Sequence, residues 1–131
     1  MTLVADTNVL AELFLPARQS SQVLWWWERD RDWRLPPLWQ SEFRHVLLKY
    51  MRADLLETTK ALAIWQKALG RLAPLEHAVD GQEVLALAKR HQCSSYDAEF
   101  VVLAQQLGCP LLTFDRKLLQ LFPDHAVQPG S

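Results

Sequence analysis

Cys93 and Cys109 are the chain's two cysteines. They belong to no CxxC, and they are too sparse for a disulfide framework or a zinc site. Both read as small buried thiols. The histidines, His45, His77, His91 and His125, fall at no HxxxH-type ligand spacing, so none is expected to be catalytic. No apolar run approaches the roughly 18–20 residues needed to span a bilayer. A basic region leading into a long apolar stretch is missing at the N-terminus. The expectation is a cytoplasmic chain that makes no use of a membrane. Positive charge is not in excess either, since the formal net charge is −1. That argues against a generally basic nucleic-acid-binding surface, though not against a local basic rim around an acidic pocket. Internal repeats, low-complexity runs and flexible linkers are also lacking.

What is present is apolar and patterned. Half of the 131 residues are hydrophobic and 22% are charged, enough for one domain over 1–131 with a real core. Residues 3–5 read as a first buried strand, and 9–15 as a short helix stopped by Pro16. A second helix is expected over 20–29, with Ser20 or Ser21 as its N-cap, then a short strand over 33–35. Pro36 and Pro37 suit a helix start, where no N–H donor is needed. That helix runs to Tyr50, with Phe43, Val46, Leu47 and Tyr50 at core-facing spacing. Another helix is expected over 56–69, stopped by Gly70, and a short strand within "RLAPLE". Residues 81–91 read as helical.

The stretch "SSYDAEFVVLAQQLG" is apolar all round, the mark of a buried helix, with Gly108 as its C-terminal cap. "PLLTF" reads as a central parallel strand that ends on Asp115. "RKLLQLF" gives one or two helical turns, and "AVQP" a last edge strand. Strands that are short continuous apolar runs, alternating with helices, indicate an α/β domain with a mostly parallel sheet covered on both faces.

In such sheets, sites form at the carboxyl ends of strands. Asp6 and Asp115 both stand there, in "LVAD" and "LLTFD". Glu42 and Asp97 lie in the first turns of helices. Helices that feed into strands are expected to begin at the opposite edge of the sheet, so spacing alone does not bring these two acids to the others.

Four motifs in order, "VADTNVL", "SEF", "YDAEFVVLAQQLG" and "LLTFDRKL", resemble the PIN domain, and within it the VapC-type toxins of toxin–antitoxin pairs. The resemblance covers essentially the whole chain. It implies a three-layer α/β/α sandwich with a central, mostly parallel sheet of four or five strands. It also implies that Asp6, Glu42, Asp97 and Asp115 gather at one end of the sheet as the catalytic acids. Asn8 and Thr113 match positions where the family has small polar residues that orient them. Crowded carboxylates raise one another's pKa, and a hard cation with oxygen ligands, Mg²⁺ or Mn²⁺, relieves this. Asp6 and Asp97 are the expected main ligands, with Glu42 and Asp115 binding directly or through water. Some relatives carry a further acid after the fourth. Here Arg116 and Lys117 follow, candidates for holding an RNA phosphate.

Plainer roles stand beside these. Asp6 and Asp115 fit as helix N-caps, and Glu42 and Asp97 gain from a helix N-terminus anyway. A cap and a ligand are compatible. Glu99, two residues from Asp97, is expected to face elsewhere. Of the six tryptophans, Trp25, Trp26 and Trp27 are consecutive. On a helix they cannot all face one core, so at least one meets solvent, a subunit, a partner or a nucleobase.

The expected function is a metal-dependent endoribonuclease acting on RNA, silenced by a cognate antitoxin and assembled as a homodimer. A haloacid-dehalogenase-like phosphatase needs a second Asp where this chain has Asn8. The alternative of another class is a catalytically silent module that binds RNA or a regulator.

Overall fold

Strand β1 (Leu3–Ala5) is buried on both faces. In the structure, a computed structural model that describes residues 2–15 and 20–130, Leu3 and Ala5 enter one core and Val4 the other. Period-two alternation puts successive side chains on opposite faces, so one short strand joins two hydrophobic layers. It pairs in parallel with β2 (Trp33–Arg34) and β3 (Leu111–Leu112), and β3 pairs in parallel with β4 (Ala126–Val127). The sheet order is β2-β1-β3-β4, so β1 and β3 are central and "AVQP" supplies an edge, as expected.

One face of the sheet carries α1 (Thr7–Phe14), α2 (Ser21–Arg29), α3 (Trp39–Arg52) and α4 (Thr58–Leu72). The other carries α5 (Gly81–His91), α6 (Ser95–Leu107) and α7 (Arg116–Leu121). This is the three-layer α/β/α arrangement. Six residues of α6, Ala98 and Phe100 to Ala104, are buried, which accounts for its missing polar face. Gly108 ends it in the left-handed conformation at φ 62°.

Several boundaries differ from the sequence reading. Helix α1 begins at Thr7, directly behind its cap Asp6; the expected stop at Pro16 lies outside the described residues. Ser20 is the N-cap position of α2, but its side chain makes no cap hydrogen bond. The prolines precede α3 rather than open it: Trp39 and Gln40 donate backbone N–H groups to the carbonyls of Pro36 and Pro37. Gly70 does not stop α4, which continues to Leu72. One interior glycine costs about 1 kcal/mol, and burial of Ala68 and Leu72 outweighs that. "RLAPLE" forms a 3-10 turn (Ala73–Leu75) instead of a strand, and only Glu76 bridges to Leu35.

The three consecutive tryptophans divide as helix geometry requires. Trp27 is buried edge-on against Trp33, with ring centroids 4.9 Å apart. Trp26 is half-buried, and Trp25 is 48% exposed beneath the Arg29 guanidinium.

Candidate active site

The carboxyl ends of the two central strands lie side by side. The Asp6 N–H donates to the Leu112 carbonyl at 2.9 Å, extending the β1–β3 ladder by one residue. Asp6 Oδ1 accepts from the Thr7 N–H at 2.8 Å, and Oδ2 from the Thr113 hydroxyl at 2.7 Å. Asn8 ties the strand ends together. Its side-chain N–H lies 3.5 Å from both Asp6 Oδ2 and Thr113 Oγ1, and its Oδ1 accepts from the Phe114 N–H. Asn8 and Thr113 therefore both touch Asp6. Thr113 Oγ1 also accepts from the Asp115 N–H at 3.0 Å, so one buried hydroxyl links two of the acids.

Asp115 caps α7, accepting from the N–H groups of Lys117 and Leu118. Ser94 caps α6 by accepting from the Asp97 N–H. The cap readings are correct for Asp115, and they leave the second oxygen of the carboxylate uncommitted among the described residues.

Glu42 and Asp97 reach the same edge for a topological reason. A helix that feeds into a parallel strand runs antiparallel to it, so it starts at the carboxyl edge and ends where the strand begins. The expectation of the opposite edge was geometrically wrong. Helix α6 enters β3 through residues 108–110, which sets Asp97 beside Asp6. Helix α3 leaves β2 at that edge. It is anchored by Trp39 Nε1 and Gln40 Nε2, which both donate to Glu76 Oε2 at 2.7 and 2.5 Å. Glu42 Oε1 then accepts from the Thr7 hydroxyl at 2.7 Å.

All four acids line one cavity of about 550 Å³. Burial, opposed by the Thr113 and Thr7 hydrogen bonds and reinforced by the charges of Glu42 and Asp97, pushes the Asp6 carboxyl up to about 7. Burial also raises Glu42, with the charges of Asp97 and Glu99 adding to it. Burial and then the charge of Asp115 raise Asp97, partly offset by Ser94 and Lys117. Among the described residues none of the four forms an ion pair.

The family profile for the PIN domain matches residues 3–121. The chain belongs to the PIN domain family. This PIN domain is 30% identical over 126 residues to Ribonuclease VapC3 of Pyrobaculum aerophilum, spanning 94% of this chain and 96% of that protein. It shares its fold with PAE2754 from Pyrobaculum aerophilum, with a TM-score of 0.78 and 22% identity over 98% of this chain and 92% of that one. A toxin–antitoxin complex from Klebsiella pneumoniae gives a TM-score of 0.67 and 18% identity over 97% of each chain.

The acids of this PIN domain suit a hard cation by donor type, being all oxygen, and by their mutual repulsion. They do not close a cage: among the described residues no three His, Cys, Asp or Glu side chains stand close enough to enclose an ion directly. Mg²⁺ is commonly held by one or two carboxylates, with waters completing its shell.

Other residues complete the PIN-domain cavity. Thr7, which positions both Asp6 and Glu42, follows the first acid directly, and that adjacency was the available signal. His45 and Lys49 line the cavity at i+3 and i+7 from Glu42, one face of α3. Tyr96, the neighbour of Asp97, lines it too. Glu99 stays outside the lining, as expected, yet its charge reaches Glu42. Arg116 and Lys117 are exposed beside Asp115 rather than within the cavity, and Lys117 Nζ donates to the Gln92 carbonyl at 3.4 Å.

Proposed function

We propose that this PIN domain is an endoribonuclease that hydrolyses RNA phosphodiester bonds with Mg²⁺ or Mn²⁺, and that it is the toxin of a VapBC-type pair. The observation that carries the reading is four carboxylates from four separate elements lining one cavity at the carboxyl edge of the sheet. The near full-length likeness to a named ribonuclease supports it.

Asp6 and Asp97 would hold the ion directly, and Glu42 and Asp115 through water. A bound divalent ion supplies acidified water and charge stabilisation at the phosphate. The chain's own residues keep the carboxylates aimed: Thr113 and Asn8 hold Asp6, and Thr7 holds Glu42. Asp6 must give up its proton to take this role, and near neutral pH its carboxyl is poised to do so. Arg116 and Lys117 would meet phosphates flanking Asp115. The charge of Lys117 already acts on Asp97.

A cleft of about 250 Å³ lined by the apolar Leu13, Phe14, Leu24 and Trp27 together with Glu28, Arg31, Lys67 and Arg71 supports a cognate antitoxin that lays an apolar helix between the N-terminal helices. A homodimer and a cytoplasmic setting complete this reading. No helix among the described residues is long and apolar enough to cross a membrane.

The test is cleavage of purified RNA. Activity should need Mn²⁺ or Mg²⁺, stop with EDTA, and vanish in Asp6→Asn. Growth arrest on expression should be lost in Asp97→Ala. The open spacing of the carboxylates favours the second reading, a silent RNA-binding module. A wild-type protein that binds RNA tightly and cuts none in saturating Mn²⁺ would establish that reading instead.

A further inference from the structure

Helix α3 carries Glu42 into the cavity, yet its first turn has little of its own to hold it. The connection from β2 runs through Pro36 and Pro37, and neither has an N–H to donate. Leu38, at the N-cap position, is already helical at φ −54° and ψ −26° and makes no side-chain cap hydrogen bond. The first N–H groups reach back only through tight turns, from Trp39 to the Pro36 carbonyl at 3.0 Å and from Gln40 to that of Pro37 at 3.2 Å. Helix ends without a capping side chain fray.

A carboxylate from far along the chain takes the place of the cap. Glu76 Oε2 accepts from Trp39 Nε1 at 2.7 Å and from Gln40 Nε2 at 2.5 Å, gripping the first two residues of α3 by their side chains. The backbone of Glu76 is itself fixed. It bridges in parallel to Leu35. The Leu35 N–H donates to the Leu75 carbonyl at 3.2 Å, and the His77 N–H to the Leu35 carbonyl at 2.9 Å. The grip therefore spans the proline connection, with one end on the residue before it and the other on the helix after it. Trp39 is fully buried against Phe43 and Trp65, so its indole N–H depends on this partner rather than on water. A negative group also suits the start of a helix.

Glu76 is not among the residues that line the cavity, whereas Glu42 is. Glu42 lies three positions beyond Trp39, within one turn. Its Oε1 meets the Thr7 hydroxyl at 2.7 Å, a contact that a loosened first turn would break. We propose that Glu76 is a positioning residue for the site: it clamps the start of α3 and thereby sets Glu42 against Thr7 and the other acids. The inference rests on the ribonuclease reading for the consequence at a metal ion, and on the geometry alone for the clamp.

The test uses the full chain in two arms. In EDTA, hydrogen–deuterium exchange over residues 39–43 should rise about 10-fold in Glu76→Ala, the effect of losing one or two hydrogen bonds. Exchange in α5 should not change, and Glu76→Gln, which keeps an acceptor oxygen, should restore protection. In calorimetric titration with Mn²⁺, Glu76→Ala should bind about 10-fold more weakly, the low end for removing an outer partner of a ligand. Glu76→Gln should recover the affinity, and Glu76→Ala should add no loss to a Glu42→Gln chain. If Glu76→Ala does not fold, Gln40→Ala, which leaves Trp39 its partner, should give smaller changes of the same sign in both arms. Unchanged exchange over 39–43, equal effects of Glu76→Gln and Glu76→Ala, or an equal loss of Mn²⁺ affinity with and without Glu42 overturns the proposal. So does freed exchange with Mn²⁺ affinity intact, because the turn would then not govern Glu42. A wild-type chain that takes up no Mn²⁺, with exchange as expected, overturns the metal reading and leaves the clamp.

Discussion

The Thr7 hydroxyl donates to Glu42 Oε1 across 2.7 Å, joining residues 35 apart in the chain. The same residue's N–H holds Asp6 Oδ1, so one threonine sets the orientation of two acids on two elements. Thr7 is 5% exposed, and water does not readily replace it. Thr7→Val removes the hydroxyl and keeps the shape. The expected result is a roughly 10- to 100-fold loss in divalent-ion affinity or activity, with Thr7→Ser near wild type. Titration of Mn²⁺ against melting temperature and cleavage rate measures it. Wild-type ion affinity in the valine variant would show that Glu42 is positioned by something else.

Asp6 gives a pH dependence with a definite sign. Burial lifts its carboxyl from 3.8 to about 7, so between those values the folded chain holds a proton that the unfolded chain has lost. The stabilisation from this group is complete below about pH 4 and is lost as pH rises through 7. In EDTA, the melting temperature of Asp6→Asn minus that of wild type should grow from pH 4 to 7 and level off above. The whole shift corresponds to at most about 4 kcal/mol. Saturating Mn²⁺ should narrow the gap at pH 8 by favouring the charged carboxylate. A gap that stays flat with pH contradicts the burial argument.

The tryptophan run separates packing from surface. Trp27→Ala empties a buried site against Trp33 and should cost about 3–5 kcal/mol. Trp25→Gln loses the Arg29 stacking and the edge contact with Trp26, together about 1–2 kcal/mol. Urea denaturation of the two variants should differ accordingly, and equal losses would mean that Trp25 is buried in an assembly.

Two glycines should respond oppositely to alanine. Gly70 lies inside α4, and an added Cβ there meets no atom within 4 Å. Gly70→Ala should stabilise by about 0.5–1 kcal/mol. Gly108 caps α6 at φ 62°, where a side chain is strained, so Gly108→Ala should destabilise by about 1–2 kcal/mol. Paired thermal melts decide this.

The elements most legible in the sequence were those whose cause is local. The apolar run over 98–104 marked a buried helix, the Asp after "LVA" marked a strand end, and Gly108 marked a cap. Errors came where a local signal lost to packing. Gly70 was read as a stop, but the buried neighbours Ala68 and Leu72 carried the helix past it. In "RLAPLE" the apolar residues suggested a strand, yet Pro74, which has no N–H and a fixed φ, turned the chain into a 3-10 turn. Glu42 and Asp97 could be singled out only through family resemblance, because neither follows an apolar strand.

By itself the sequence determined the alternation of strands and helices, the helix caps, and the two aspartates at strand ends. Each depends on residues within a few positions of one another, where alternation, capping and φ limits act directly. Only the tertiary structure decided that the four acids share one cavity and that His45, Lys49 and Tyr96 line it with them. Those proximities join acids 18 to 109 positions apart in the chain. They follow from sheet order and from helices running back against the strands, which no stretch of neighbouring residues encodes.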